Sequence, residues 1–503
     1  METVQKIDWF WAHRRNASLH HFSFLMDGLR HSGWLPAVNF SFDNQIVIGV
    51  PGKGCYIFYD KQQLSSQGTY KNIQASIDTN PNFVSDFKRR SDEIFGAIFF
   101  KCQRIDEENL ELVSQEELAA LYQEFIAAIT IAPIITVQLW GIEACFDANY
   151  KIIRFLKKRL VQLDKEKEFE NYKEILSANT GETVAFTEQK NFYQVAAALK
   201  KNPAAQYLIE KHIAKYEWVN TEYVSGGWTK KQWLDLFEKT LAAEITPEQK
   251  LHELKANFAA ANKKRDEVIA ELNPPQDVRH ALDCLSELIA QRDWAKGYFT
   301  KALLSYNNLL DEIARRIGIT REDILSYTYQ EVDAYFKNGS TISATEIIDR
   351  QKNGFALLIK SGDSALVTGA EDIARCIEDE GIAEPFENVM QTAEFKGLPA
   401  CRGVARGIAH VMEDASKIAD FKEGEILITY MTTIEFIPAF RKASAIVTDE
   451  GGMSCHAAII SREFKLPCVV GTKIATRAIK TGDEIEVDAT RGIVKIISSN
   501  NAA

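Results

Sequence analysis

Residues 448–472 read TDEGGMSCHAAIISREFKLPCVVGT, and no other stretch narrows the fold of this chain as far. A strand-like run at 443–448 ends at the Gly451-Gly452 turn. His456 then opens a helix-like run over 456–464, and a second strand-like run follows over 467–470. A strand, a glycine turn and a helix in that order aim the first-turn backbone N–H groups at one spot, and that spot favours an anion. A histidine placed there is a candidate to carry a phosphoryl group, because imidazole is nucleophilic and partly neutral near pH 7. The plainer alternative is a core histidine packed beside a turn.

The same stretch resembles the phosphohistidine (swivelling) domain of the phosphoenolpyruvate-utilising enzymes, the group of phosphoenolpyruvate synthase, pyruvate phosphate dikinase and rifampin phosphotransferase. The family pattern runs T-x-x-G-G-x-x-S/C-H-x-A-hydrophobic-x-x-R-E-x-x-x-P-x-V-x-G. Thr448, Gly451, Gly452, Cys455, His456, Ala458, Arg462, Glu463, Pro467, Val469 and Gly471 fill it. Residues 397–409 resemble the family's entry strand and 482–496 its closing strands. Residues 426–438 resemble its L-x-x-x-x-T-x-P-x-x-x-P segment, with Ile434 in place of the first proline. The resemblance runs from Phe395 to Ser498. It implies His456 as the phosphoryl carrier. Gly451, Gly452 and Ser454 would offer backbone and a hydroxyl to the phosphoryl group, with Thr448 and Arg462 as further candidates to hold it. Cys455 is read as the small residue the turn needs; a reactive thiol is the alternative.

Composition sets outer limits. A chain of 503 residues has room for about two to four domains. A net charge of −11 argues against a nucleic-acid binder, which needs a basic stripe to neutralise phosphates. The 8 cysteines are scattered, with no C-x-x-C and no zinc spacing, so no metal site is expected and reduced thiols in a cytoplasmic protein are the simplest reading. The N-terminus has no signal-peptide pattern. Residues 125–142 carry no charge over a length that could span a bilayer. Pro133, Gln138 and the nearby Glu143 and Asp147 favour buried helix instead, so no membrane partner is expected.

The expected fold is multidomain α+β: a mostly helical N-terminal and central substrate region with a small β-hairpin or meander, then a C-terminal α/β swivelling phosphohistidine domain. Three regions are expected. Residues 1–160 are mixed, with strand-like alternation over 38–60 and helical patterns at 82–99, 114–129 and 142–163, the second opened by a Ser114/Glu117 capping box. Residues 161–390 read as helical substrate (acceptor) domain, with apolar periodicity at 165–176, 189–201, 203–217, 230–243, 247–272, 278–318 and 321–337. A hairpin at 355–368 and a helix at 369–380 close it. Residues 391–503 form the phosphohistidine domain, with a hinge expected at 391–399, where Gly397 and Pro399 break the pattern. A histidine that serves two sites needs such a hinge.

Residues 287–354 resemble, more weakly, the central domain of rifampin-phosphotransferase-like proteins. That domain carries an R-E-x-x-K helix, then I-x-x-x-D-I-x-x-L-T-x-x-E. Arg292, Asp293 and Lys296 fill the first motif, with Asp in place of Glu; Asp323, Ile324 and Glu331 fall in the second, with Tyr327 at the leucine. Arg292 and Lys296 share one helix face. Two cations beside a carboxylate suit phosphoryl transfer, the cations stabilising the transferring oxygens and Asp293 orienting or deprotonating an acceptor. A solvated face with an ordinary ion pair is the alternative. The run WFWAHRRNASLHH at 9–21 faintly resembles the start of the same group's substrate domain and offers Arg14, Arg15 and His20 as substrate-binding candidates.

The resemblance also frames what is missing. No counterpart of the group's ATP-grasp nucleotide domain and no P-loop is recognisable. The chain ends soon after its last strand-like run, where pyruvate-using members continue into a barrel. The expectation is therefore one component of a split phosphotransferase. His456 would be phosphorylated from ATP with Mg²⁺ on a separate ATP-grasp subunit, and the group passed to a small organic acceptor in the helical region. The alternatives are a phosphocarrier or regulatory protein that hands phosphate to another protein, and a phosphotransferase fed by a diffusible donor.

Overall fold

The computed structural model describes residues 7, 9–15, 17–28, 44–51, 54–60, 79–80, 82–130, 132, 150–176, 181–220, 228–360, 363–382, 393–412, 415–432, 436–452 and 455–499. The chain divides into two compact units. One is Met1–Cys145 with Tyr298–Glu387; the other is Phe146–Gly297 with Asn388–Ala503.

The first unit carries five antiparallel strands: β1 (Trp9–Arg15), β2 (Gln45–Val50), β3 (Gly54–Asp60), β4 (Phe355–Lys360) and β5 (Asp363–Val367). Both expected hairpins form, although 38–43 lie outside the described residues. Their union was not legible. β2 pairs with β4, with Ile46 opposite Leu358, so the sheet order is β1-β3-β2-β4-β5. Gly354 permits the join: it has φ +82, and a Cβ there would lie 2.0 Å from the Gly49 carbonyl oxygen. Ile46, Ile48, Tyr56, Phe58 and Ala356 pack with Ile373 of the Ala370–Glu380 helix to form the core on one face.

The Phe83–Glu107 and Gln115–Ile129 helices also belong to this unit, and the Ser114/Glu117 capping box forms as expected. Phe125, Ile126 and Ile129, the described start of the uncharged 125–142 run, are buried core. Residues 131 and 133–142 of that run lie outside the described residues. No described helix is long and apolar enough to cross a membrane.

The expected helix at 321–337 is two helices, Arg321–Ile324 and Tyr329–Asn338. Each has its own capping box, Thr320 with Asp323 and Thr328 with Glu331. A threonine that caps the next helix draws the chain out of the preceding one. The carbonyls freed at the break are used. His20 N–H donates to Leu325 O at 3.2 Å, and Arg350 donates to Ser326 O at 2.8 Å while pairing with Glu331.

The second unit opens with helices. Tyr150–Gln162, Phe169–Leu176, Val184–Lys201, Tyr207–Tyr216, Lys230–Ala242 and Pro247–Leu272 follow the expected pattern closely, and the Gln276–Ile317 helix begins here. Thr229/Gln232 and Thr246/Gln249 capping boxes start two of them, and Asn273 at φ 43 ends one before Pro274. Phe192, Val195, Ala196 and Leu199 pack with Ile209 and Phe237 as their core.

The rest of this unit is an eight-stranded sheet: β6 (Glu394–Lys396), β7 (Leu398–Cys401), β8 (Val404–Val411), β9 (Ile426–Thr429), β10 (Ala445–Thr448), β11 (Cys468–Val470), β12 (Glu484–Asp488) and β13 (Ile493–Ser498). Its order is β6-β13-β12-β8-β9-β10-β11-β7. β8, β9, β10 and β11 run parallel, and every residue of β9, β10 and β11 is buried, as expected for strands covered on both faces. Of the expected hinge at 391–399, residues 394–396 and 398–399 are strand. Gly397 between them is tied in by its N–H to Gly492 O at 2.9 Å. Residues 391–392 lie outside the described residues.

Candidate functional site

β9 and β10 lie side by side, Thr429 opposite Thr448, and their carboxyl ends open towards the loop before the His456–Phe464 helix. The carboxyl ends of parallel strands are where open α/β sheets place ligands. The helix has the bounds expected from the sequence. It starts because Cys455 is extended, at φ −72 and ψ 163, and makes no side-chain cap, so the first-turn N–H groups are not spent on a capping side chain. Lys465 at φ 55 ends it.

His456 is the first residue of that helix and is buried, 5% exposed. Its Nδ1 lies 2.9 Å from Thr432 Oγ1, and Phe440 stands edge-on to the ring with centroids 5.9 Å apart. Thr432 follows β9 and Phe440 ends the short Ile437–Phe440 helix, so three elements fix one imidazole. Neither residue was assigned a role from the sequence. The available signal was the family's L-x-x-x-x-T segment, in which Leu427 and Thr432 fill the leucine and threonine positions.

The loop that carries the histidine is clamped from the far side. Asp449, buried beside Thr448, accepts from Thr472 Oγ1 at 3.0 Å and from Thr476 Oγ1 and N–H. Burial pushes its carboxyl above the usual range, and those donors offset this. Gly451 has φ +121, and a Cβ on it would lie 2.6 Å from Cys455 Sγ. Its backbone therefore approaches the helix start as only glycine can. Gly452 O accepts from Cys455 N–H at 3.1 Å, closing the turn.

The remaining sequence candidates are distributed as follows. Thr448 donates its hydroxyl to Glu450 O at 2.7 Å, bracing the loop. Ser454 lies outside the described residues. Arg462 donates Nε to Ala400 O at 2.9 Å. It sits six residues along the helix, about 9 Å from His456 in rise, so it ties the helix to β7. Asp293 is buried and accepts from Val184 N–H at 2.7 Å, while Thr183 Oγ1 accepts from Phe186 N–H. Asp293 thus caps the Val184–Lys201 helix, where a carboxylate is favoured. Lys296 follows on the Gln276–Ile317 helix, and the side chain of Arg292 lies outside the described residues. The side chains of Arg14 and Arg15 on β1 also lie outside them.

His20 belongs to the first unit and is wholly buried. Its Nδ1–H donates to Tyr327 O at 3.2 Å, and Nε2 accepts from Tyr306 O–H at 2.5 Å. Burial lowers its pKa to about 4, so it is a neutral pin in an aromatic core with Tyr306 and Phe125.

Known proteins share the sequence of this region. Residues 421–492 match the PEP-utilising enzyme mobile domain. The chain carries that domain. The phosphoenolpyruvate synthase of Pyrococcus furiosus is 50% identical over 119 residues, 24% of this chain and 15% of the synthase. An uncharacterised phosphotransferase of Bacillus subtilis is 40% identical over 133 residues, 26% of this chain and 15% of that protein. The chain therefore spans about a seventh of the length of each of these relatives. Among solved structures, an Enzyme I protein aligns over 63% of this chain and 80% of its own at 15% identity, with a TM-score of 0.17, too low to bear on the fold.

Proposed function

We propose that the chain is the phosphoryl-carrying component of a phosphotransferase, with His456 as the carrier. What supports this most is one feature: His456 at the first position of a helix at the carboxyl ends of β9 and β10, with Nδ1 held by Thr432. With Nδ1–H donating to Thr432 Oγ1, the nucleophilic lone pair is on Nε2. Nε2 attacks phosphorus, an N–P bond forms, the phosphoanhydride P–O bond breaks, and the leaving oxygen takes the electron pair. The helix N-terminus and the Gly451-Gly452 turn face the transferred group, where N–H donors offset its negative charge.

The donor in this reading is ATP, bound with Mg²⁺ on a separate ATP-grasp subunit; in synthase-type chemistry Nε2 would attack the β-phosphorus with AMP leaving, and water would then cleave the β–γ anhydride to release phosphate. The acceptor is a hydroxyl or carboxylate of a small organic molecule in the helical region. Its oxygen attacks phosphorus, the N–P bond breaks and Nε2 recovers its electrons; a hydroxyl acceptor also releases its proton. The second reading is a phosphocarrier that serves another protein. It draws on Asp293, whose carboxylate accepts from Val184 N–H and so caps a helix.

A pulse–chase separates the two. The chain is loaded with labelled phosphate, freed of nucleotide and chased with a library of small hydroxy and carboxylic acids. Loss of label to a small molecule supports the enzyme. Retention against every small molecule, with transfer to a protein fraction, supports the carrier.

A further inference from the structure

Two side chains of the first unit hold polar atoms in the interior without partners. Asn307 lies on the Gln276–Ile317 helix, in the part that belongs to that unit, and is 3% exposed. Among the described residues nothing bonds to its Oδ1 or its Nδ2. Leu303 and Leu310, its neighbours on the same helix face, are buried beside it. Arg321 comes from the short helix that Thr320 caps. Its Nη1 donates to Asn307 O at 3.0 Å and to Asp311 Oδ1 at 2.6 Å, while its Nη2 is buried and has no acceptor among the described residues.

A buried amide without a partner gives up its hydrogen bonds to water and regains none. Asn307 Oδ1 could accept from Arg321 Nη2, yet the two do not bond. They are kept near each other all the same, because Nη1 of that guanidinium donates to the carbonyl of that asparagine. A small molecule held by both residues would meet two kinds of donor and one acceptor. The carboxylates that act on this region are already engaged. Asp311, its side chain 53% exposed, holds Nη1 from the solvent side, and Glu331 pairs with Arg350. His20 and His21 are wholly buried, and burial favours the neutral form of both rings; the Arg321 charge reaches each of them and adds to that effect. The Arg321 side chain is 26% exposed, so the cluster reaches the surface at the guanidinium.

We infer that Asn307 and Arg321 form a binding site for a small 2-hydroxycarboxylate. One carboxylate oxygen accepts from Arg321 Nη2 and the other from Asn307 Nδ2, and the hydroxyl donates to Asn307 Oδ1. That arrangement gives each unpartnered atom the bond its chemistry asks for. A neutral ligand would leave the inner side of the guanidinium without a counter-charge. Sulfate, which has no donor, would set an oxygen against Oδ1. The site lies in the first unit, whereas His456 lies in the second, and the proposal does not depend on His456 carrying phosphate.

The test is saturation-transfer NMR on the full chain, titrated with lactate, propionate and lactamide. Lactate should take up saturation and give a dissociation constant. Propionate lacks the hydroxyl and should bind about tenfold more weakly. Lactamide lacks the charge and should lose at least about tenfold. Asn307→Leu keeps the volume, removes both amide atoms and should abolish lactate binding. Arg321→Lys keeps the charge but has no second nitrogen, and it should weaken lactate by about tenfold. Arg375→Ala, at the exposed pair with Asp372, should bind lactate like the unmodified chain. Should Asn307→Leu not fold, Asn307→Asp keeps the shape, sets a carboxylate against that of the ligand, and should lose lactate too. No transfer to lactate from the unmodified chain overturns the site. So does unchanged binding in Asn307→Leu, or in Asn307→Asp when that is the variant that folds. Propionate binding as tightly as lactate overturns the role given to Asn307 Oδ1, and lactamide doing so overturns the role given to Arg321.

Discussion

Thr432 Oγ1 and His456 Nδ1 lie 2.9 Å apart; with Nδ1–H as the donor in this bond, the lone pair that the proposed transfer needs is on Nε2. Thr432→Val removes the partner with little change in volume. The expected result is a roughly tenfold slower phosphorylation of His456 and a loss of about 1 kcal/mol in stability. Thr432→Ser should restore most of the rate. Rates of label uptake and urea denaturation measure the two effects separately.

Gly451 at φ +121 has no room for a side chain beside Cys455. Gly451→Ala should cost about 1–3 kcal/mol and suppress phosphorylation by displacing the helix start. Gly96→Ala provides the contrast, because that helical glycine has nothing within 4 Å of a new Cβ. It should stabilise by about 0.5–1 kcal/mol. Denaturant midpoints of the two variants should move in opposite directions.

His20 gives the first unit a pH dependence of definite sign. Its pKa is lowered from 6.5 to about 4 by burial, so folding favours the neutral ring. The stabilisation is complete above pH 6.5 and is lost as pH falls towards 4, amounting to about 3 kcal/mol. His21, also lowered by burial, acts in the same direction. Denaturation measured across this window should show the loss, and His20→Gln should reduce it, leaving the part due to His21.

Much of the mobile domain was legible because its evidence is local. The glycine turn, the histidine and the apolar run that follow one another over 451–464 specify a strand–turn–helix without reference to anything distant. What holds the histidine was not legible in the same way. Thr432 and Phe440 come from separate elements, and only the closure of β9 against β10 brings them to the ring. Asp293 illustrates the converse. Its motif position suggested transfer chemistry, yet the fold sets it at the N-terminus of another helix. Thr328 and Glu331 sit in a motif-like pattern too, and there the capping chemistry overrode the apolar periodicity that suggested one continuous helix. Propensity and period report on a helix's own face, whereas these outcomes depend on which face it meets.

Arg350 tests the reading of that break. Its side chain is 5% exposed and donates to Ser326 O, Glu331 and Glu346. Arg350→Ala leaves Glu331 and a freed carbonyl without their donor and should cost about 3–5 kcal/mol. Arg350→Met, which refills the volume, should cost less. Urea denaturation of both variants checks the order.

The most direct measurement is phosphorylation of His456 itself. The purified chain is incubated with β- and γ-labelled ATP, with and without an ATP-grasp protein, and examined for acid-labile label. The account expects label that requires the second protein, maps to His456 by fragment mass spectrometry at neutral pH, and disappears in His456→Ala. Label that persists in His456→Ala, or a chain that takes up none with any ATP-grasp partner, would contradict it.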